Sequence, residues 1–266
     1  MSDAPGVRVM GIINVTPDSF SDGGRCNSAE SSLTQAKLMI GEGADILDIG
    51  GESTRPFAEP VELFQELDRV IPAIKAIRKE STIPISIDTS KAEVARQALA
   101  SGADVINDIT ALRKDPEMVR LAADTDVPLI LMHMQGSPGD MQVEPHYEDV
   151  VAEIIDFFQE RLSFLDAHSI SRERIIVDPG IGFGKSLQHN LTILKNLDAF
   201  SVLGCPVLLG HSRKRFIGDV TGLPVEQRDL PTAVISALAA RQGVAYIRVH
   251  DVASTRTALT IESALS

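Results

Sequence analysis

Ile83-Pro84-Ile85-Ser86-Ile87-Asp88 is a short, mostly apolar run that stops on a carboxylate. Lys91–Ser101 follows with apolar residues at helical spacing. Ala103-Asp104-Val105-Ile106-Asn107-Asp108-Ile109 is then a second apolar run, with an amide and a carboxylate near its end. A strand buried on both faces reads as a nearly continuous apolar run, and a helix that covers it reads with a 3.6-residue period. Residues 83–109 are therefore a strand–helix–strand unit of the kind that builds parallel sheet.

The unit recurs in both directions. Further strand candidates are Val7–Val15, Ala44–Gly50, Val127–Met134, Arg174–Asp178, Cys205–Gly210 and Val244–Val249, which makes eight with the two already quoted. Helical spacing also marks Ala29–Gly41, Val61–Glu80, Tyr147–His168 and Pro231–Gln242. Eight such units in 266 residues fit a closed (β/α)8 barrel, the TIM-barrel architecture, better than an open sheet. No low-complexity linker or composition break divides the chain, so residues 1–266 read as a single α/β domain.

Bulk composition narrows the partners. Hydrophobic residues are 44% and charged residues 23%, enough for an ordinary globular core. Aromatics are only 4% with no Trp, so Ile, Leu, Val, Ala and Met must fill that core. A net charge of −12 argues against nucleic acid or an anionic membrane as partner, because either would need a basic face. Two cysteines, Cys26 and Cys205, cannot form a secreted disulfide framework. No apolar run reaches the ~20 residues of a membrane span, so a soluble, cytoplasmic protein is expected.

Polar residues collect at the strand ends: Asn14, Asp48, Asp88, Asn107 with Asp108, His133, Asp178, His211 with Ser212, and Arg248 with His250. In a (β/α)8 barrel those ends and the loops after them form the active-site face. Any one Asp or Asn there could simply be a turn former, but eight strands ending alike are hard to explain by turns.

The loops add chemistry. The first, Asn14 to Gly24, is rich in Ser, Asp and Gly and carries one aromatic, Phe20, which suits a lid. The second, Asp48-Ile49-Gly50-Gly51-Glu52-Ser53-Thr54-Arg55-Pro56, offers close backbone approach, hydroxyls and a guanidinium fork for phosphate oxygens. The sixth, Asp178-Pro179-Gly180-Ile181-Gly182-Phe183-Gly184-Lys185, sets three glycines beside a carboxylate in neither the Walker nor the dinucleotide spacing. The seventh and eighth supply His211-Ser212-Arg213-Lys214-Arg215 and Arg248-Val249-His250-Asp251, a cationic cluster in an acidic chain and a fitting anion site. His133 lies within Leu131-Met132-His133-Met134 and reads as a packed core histidine. No zinc-ligand spacing, HExxH or GxSxG elbow occurs, so any metal is expected to be Mg²⁺, held by an amide or carboxylate with substrate phosphates.

Taken together, Met10–Gly24, Asp48–Pro56, Ser86–Ser90, Asn107–Ile109, Leu131–Gly136, Asp178–Lys185, Ser212–Lys214 and Arg248–Val252 resemble the motifs of the dihydropteroate synthases, in that family's order and over nearly the whole chain. The resemblance implies a (β/α)8 barrel, a homodimer and Mg²⁺. It also implies the condensation of 6-hydroxymethyl-7,8-dihydropterin pyrophosphate with 4-aminobenzoate, a step of folate biosynthesis and the target of sulfonamides. By the same resemblance, Asp48, Asp88, Asn107, Asp178 and Lys214 fall at pterin-binding positions. Asn14 falls at the metal position, and Asn14, Thr54, Arg55, Arg248 and His250 at pyrophosphate contacts. Phe20, Pro56, Phe183 and Arg215 fall near the aminobenzoate. Two departures stand out: Arg215 where many members have Ser, which replaces a hydroxyl with charge but keeps the backbone N–H, and Phe57 where Gly is common.

The implied chemistry suits these residue types. A pterin edge presents adjacent N–H donors that a buried carboxylate can accept, and an amide can serve mixed donor and acceptor sites. An arylamine is neutral at pH 7 and needs little general base, so help belongs on the leaving group. Arg55, Lys214, Arg248 and His250 would meet the pyrophosphate or the ring, with Asp22 of the first loop, and Asp18 beside it, offsetting positive charge on an SN1-like path. A methyl-transferring pterin barrel, the nearest rival, has no use for Arg55, Arg248 and His250 together. A non-catalytic paralogue should have damaged loops, and both loops are intact.

Overall fold

The computed structural model describes residues 6–16, 25–53, 60–136 and 145–266. Among these residues eight strands alternate with helices. In chain order they are β1 (Arg8–Asn14), α1 (Arg25–Gly41), β2 (Ile46–Gly50), α2 (Leu63–Glu80), β3 (Ile85–Asp88), α3 (Ala92–Ala100), β4 (Val105–Asp108), α4 (Pro116–Ala123), β5 (Leu129–Met132) and α5 (Val150–Ala167). There follow β6 (Ile175–Asp178), α6 (Leu187–Lys195), β7 (Leu208–Leu209), α7 (Arg215–Thr221), α8 (Asp229–Ala240), β8 (Tyr246–Val249) and α9 (Val252–Ala264).

Every neighbouring strand pair is parallel, in the order β6-β5-β4-β3-β2-β1-β8-β7. The ring closes where β6 meets β7 at a single bridge, Val177 to Val207, with the Val177 N–H donating to the Pro206 carbonyl at 3.0 Å. The expected (β/α)8 barrel is present. The strands are shorter than their apolar runs suggest, most of all β7. Pro128 and Pro206 explain two cases: neither has an N–H to give to a ladder, yet their carbonyls still accept from Ile106 and Val177. Helices α4, α6 and α7 span only 7 to 9 residues, too few to show a clear period, and α9 is rich in Ser and Thr.

Two shells of apolar packing result from the strand alternation. One face of each strand packs outward on the helices, in a core that includes Val9, Leu47, Ile87, Ile106, Leu131, Val177 and Ile247. The other face points into the barrel, where Met10, Ile46, Val105, Ile130, Ile176 and Leu208 form a separate cluster with Tyr246. Two residues further along the same strands come Asp48, Asn107, Met132, Asp178, Gly210 and Arg248. Because side chains repeat every second residue, these share the inward face one layer higher, at the C-terminal mouth. No helix among the described residues is long and apolar enough to cross a membrane.

Candidate active site

The upper layer of the barrel is acidic at its floor. Asp48 is fully buried, and Asp88, Asn107 and Asp178 nearly so. Asn107 Nδ2 donates to both Asp48 oxygens at 3.4 and 3.3 Å. Arg248 bridges two of the acids, with Nε on Asp48 Oδ2 at 2.6 Å and Nη2 on Asp88 Oδ2 at 2.7 Å. Burial disfavours a guanidinium charge, but Asp48 and Asp88 more than offset it, and Arg248 is held firmly protonated. Burial pushes the Asp88 carboxyl up, with Arg248 opposing and Asp48 adding to the rise. Asp178 is likewise raised by burial, opposed by Lys214 and by the Gly180 N–H, which donates to Oδ1 at 2.8 Å. A buried carboxylate with acceptor capacity to spare is a receptor for N–H donors.

Lys214 reaches this floor from the loop after β7. Its ammonium donates to the Ile181 carbonyl and lies 4.4 Å from the centre of the Phe183 ring. Burial lowers its pKa to about 8, with Asp178 pulling the other way. Phe183 packs with Met132 and Met134 as an apolar wall. Gly180 permits the turn after β6: its φ is +71°, and a Cβ there would stand 1.9 Å from the His133 carbonyl oxygen. Ser212 Oγ is 2.9 Å from His250 Nδ1 and accepts from the His250 N–H at 3.1 Å, so the ends of β7 and β8 are clipped together.

Strand parity separates site from scaffold among the polar strand ends. Asp108, one residue past Asn107, faces the other way and builds its own loop, accepting from the Thr110 N–H and hydroxyl and the Leu112 N–H at 2.7–3.0 Å. His211 is fully buried, with Nε2 2.9 Å from the Thr232 carbonyl of α8. His133 is the packed histidine expected, edge-on to Phe157 at 4.9 Å. For these three the structural reading of a polar strand end is the correct one.

Asn14 has the inward parity of Met10 and stands half-buried at the top of β1, in register with Gly50. Arg215 opens α7 with its side chain 90% exposed, 3.6 Å from Asp219. The expected roles of Asp18, Phe20, Asp22, Thr54, Arg55, Pro56 and Phe57 lie outside the described residues.

The structure also gives roles to residues for which the sequence suggested none. Lys185 is buried with its ammonium on His133 Nδ1 (3.0 Å) and on the Phe183 carbonyl (3.0 Å), stitching the loop after β6 to the end of β5. Lys91 bonds Glu52 and fully buried Glu66, both at 2.5 Å, and Glu52 also accepts from the Val61 N–H at 3.2 Å. Glu52 thereby ties the two described ends of the β2–α2 connection. A signal for Glu66 was available: it shares the apolar stripe of α2 with Val70, Ala73 and Ile77, where a carboxylate has no place without a partner.

The chain resembles known proteins over nearly its whole length. The family model described as "Pterin binding enzyme" matches residues 10–250. The dihydropteroate synthase of Synechocystis sp. is 46% identical over 258 residues, spanning 97% of this chain and 89% of its own. Yersinia pestis dihydropteroate synthase, solved with a sulfonamide drug complex, superposes with a TM-score of 0.93 at 42% identity, covering 99% of this chain and 96% of that one. Xanthomonas albilineans dihydropteroate synthase in complex with 7,8-dihydropteroate superposes at 0.89 and 45% identity, covering 98% and 94%. With the family model spanning most of the chain and full-length relatives sharing nearly half its residues, this chain belongs to the pterin-binding enzyme family and, within it, to the dihydropteroate synthases.

Proposed function

We propose that the barrel mouth arranges the dihydropteroate synthase reaction in three tiers. The observation that carries this reading is the buried layer of Asp48, Asp88, Asn107 and Asp178 capped by Lys214. The pterin lies on that floor, its N–H edge toward Asp178 and Asn107, with Lys214 donating to ring acceptors. Arg248 leaves its carboxylates as the ring's N–H donors take their place, and turns with His250 to the pyrophosphate, where Thr54 and Arg55 join it. The aminobenzoate occupies the rim beside Phe183, Phe20 and Pro56, with Arg215 exposed on α7 to meet its carboxylate.

Catalysis then acts on the leaving group. Positive charge placed where the pyrophosphate oxygen gains its electron pair stabilises C–O cleavage. The electron-rich ring bears the resulting methylene cation, and the neutral arylamine captures it with loss of a proton. Asp22 of the first loop offsets the transient charge. The donor set fits Mg²⁺: Asn14 offers a hard carboxamide oxygen, and this ion favours few protein ligands together with phosphate oxygens. When bound, the ion supplies charge neutralisation to the pyrophosphate. Asn14 would hold it from the end of β1.

The working form is a cytosolic homodimer. α8 exposes Leu230, Val234 and Leu238, four residues apart and so on a single stripe, and Ile261 of α9 and Leu265 just past its end are exposed as well. A second copy burying this face accounts for the exposure. Cys205, a buried free thiol, suits a reducing compartment.

The test is pyrophosphate release from 6-hydroxymethyl-7,8-dihydropterin pyrophosphate with Mg²⁺. Release that depends on 4-aminobenzoate and yields 7,8-dihydropteroate is the expected result. Release at the same rate without the arylamine would remove the synthase reading. Sedimentation of Val234→Asp gives a monomer if α8 forms the dimer face.

A further inference from the structure

We infer that Arg228, at the start of α8, is a positioning residue for the pterin and pyrophosphate sites, acting through the backbone of the loop after β7. The inference rests on the reading of Lys214 and His250 given above. Arg228 Nη1 donates to the Arg213 carbonyl at 3.1 Å and to the Lys214 carbonyl at 3.4 Å, and Nε donates to the Leu223 carbonyl just beyond α7 at 3.0 Å. One guanidinium thus fixes the loop, and the helix that follows it, to the start of α8.

That loop needs an outside hold. Arg213 has φ +57°, the left-handed region that costs any residue with a Cβ. The first turn of α8 secures it twice more. The Arg213 guanidinium bonds Asp229 through Nε at 2.6 Å and Nη2 at 2.8 Å, and the Arg213 N–H donates to Thr232 Oγ1 at 3.2 Å. On either side of Arg213 stand Ser212, whose hydroxyl holds His250, and Lys214, whose ammonium sits on the Ile181 carbonyl and the Phe183 ring. A small displacement of this backbone takes both groups out of hydrogen-bond reach of their targets.

A second, independent observation comes from α7. Gly218 lies inside that helix, where glycine is among the poorest choices. A Cβ at Gly218 would stand 2.2 Å from Arg228 Nη2 and 2.7 Å from Cζ. The helix gives up a side chain at the one place where the guanidinium passes.

The experiment compares Gly218→Ala, Arg228→Met, Arg228→Lys and the double variant Gly218→Ala/Arg228→Met with the wild-type enzyme. Gly218→Ala keeps every donor and displaces only the end of a flexible side chain, so it remains informative even if Arg228→Met does not fold. Each of Gly218→Ala and Arg228→Met is expected to raise the KM for dihydropterin pyrophosphate about tenfold, roughly 1.4 kcal/mol. The midpoint of chemical denaturation of Gly218→Ala should stay near that of wild type, which separates misplacement of two named groups from a general loss of structure. Arg228→Lys, which restores a donor, recovers part of the loss. The double variant is no worse than Arg228→Met, because the new methyl group fills space the guanidinium has left. Single variants with wild-type KM values, a rise in KM that only tracks lost stability, or additive losses in the double variant would each overturn the role of Arg228. An inactive wild-type enzyme would instead overturn the assignment of the site.

Discussion

Two residues separate the lower interior layer of the barrel from the upper, and the two layers do opposite things with the same backbone. On β2 the pair is Ile46 and Asp48, on β4 Val105 and Asn107, on β6 Ile176 and Asp178, on β8 Tyr246 and Arg248. The lower residues pack on one another and stabilise the ring by removing apolar surface from water. The upper residues are as buried as the lower ones but polar, and they lean on one another through Arg248. A layer of acids under a mouth costs stability unless it is paired, and the pairing is what a ligand can replace. In this barrel stability and recognition are separated by height along the strand, not by strand.

Arg248→Gln should disturb the upper layer most. Losing the charge leaves Asp48 and Asp88 buried without their cation, which should cost about 3–5 kcal/mol of stability at neutral pH. The unpaired carboxyls then bind protons more tightly in the folded than in the unfolded chain. The variant's deficit should therefore shrink as pH falls toward about 4, the ordinary carboxylate range. Turnover should also drop by roughly 10²–10³. Thermal melts against pH and steady-state kinetics test both, and a variant as stable and as fast as wild type would mean the upper layer is not held by this residue.

Ile176→Ala attacks the layer below. A cavity in the barrel interior should cost about 2–5 kcal/mol in chemical denaturation. The affinity of the folded fraction for a pterin should barely change, since Asp178 sits one layer up. A large loss of affinity with little loss of stability would show that the layers are not separable.

Asp178→Asn is the mirror image. The amide presents donors to ring donors, at about 1–3 kcal/mol per lost hydrogen bond, and calorimetry with a pterin should show binding lost. The fold should not suffer. Burial raises the pKa of Asp178, so the folded state holds its proton more tightly than the unfolded state and loses stability as pH rises above about 4. Asn removes that loss. The variant should match wild type below this pH and melt no lower than wild type at pH 7.5. Pterin affinity within a factor of about three of wild type, less than a single lost hydrogen bond would cost, would contradict the assignment.

The smallest expected effect concerns the rim above both layers. Binding of 4-aminobenzoate should strengthen by about 1–3 kcal/mol, or roughly 5–150-fold, once pyrophosphate and Mg²⁺ are present. The motivation is that Asn14, Thr54 and Arg55 belong to the same two loops as Phe20 and Pro56. Titrations with and without the anion and metal decide it: equal affinities would mean that the two sites are uncoupled.

Eight strands, their parallel run and the end that carries the chemistry are legible in the sequence. These follow from local alternation and from the type of residue that ends each strand, information each segment carries alone. Much of the inward set was legible too, since Asp88 and Asp178 close β3 and β6, and Asp48 and Asn107 stand within two residues of the ends of β2 and β4. Parity, which sets Asp108, His133 and His211 apart from them, depends on where each strand begins, and proline positions and ladder partners shift that point. What pairs with what emerges only when the barrel closes. Arg248 meets Asp48 across 200 residues and Asp88 across 160, and Arg228 reaches the loop before α7 from the start of α8. Such contacts leave no local pattern, because closing the barrel is what brings these charges within 3 Å of one another, and the low-dielectric interior makes their pairing obligatory.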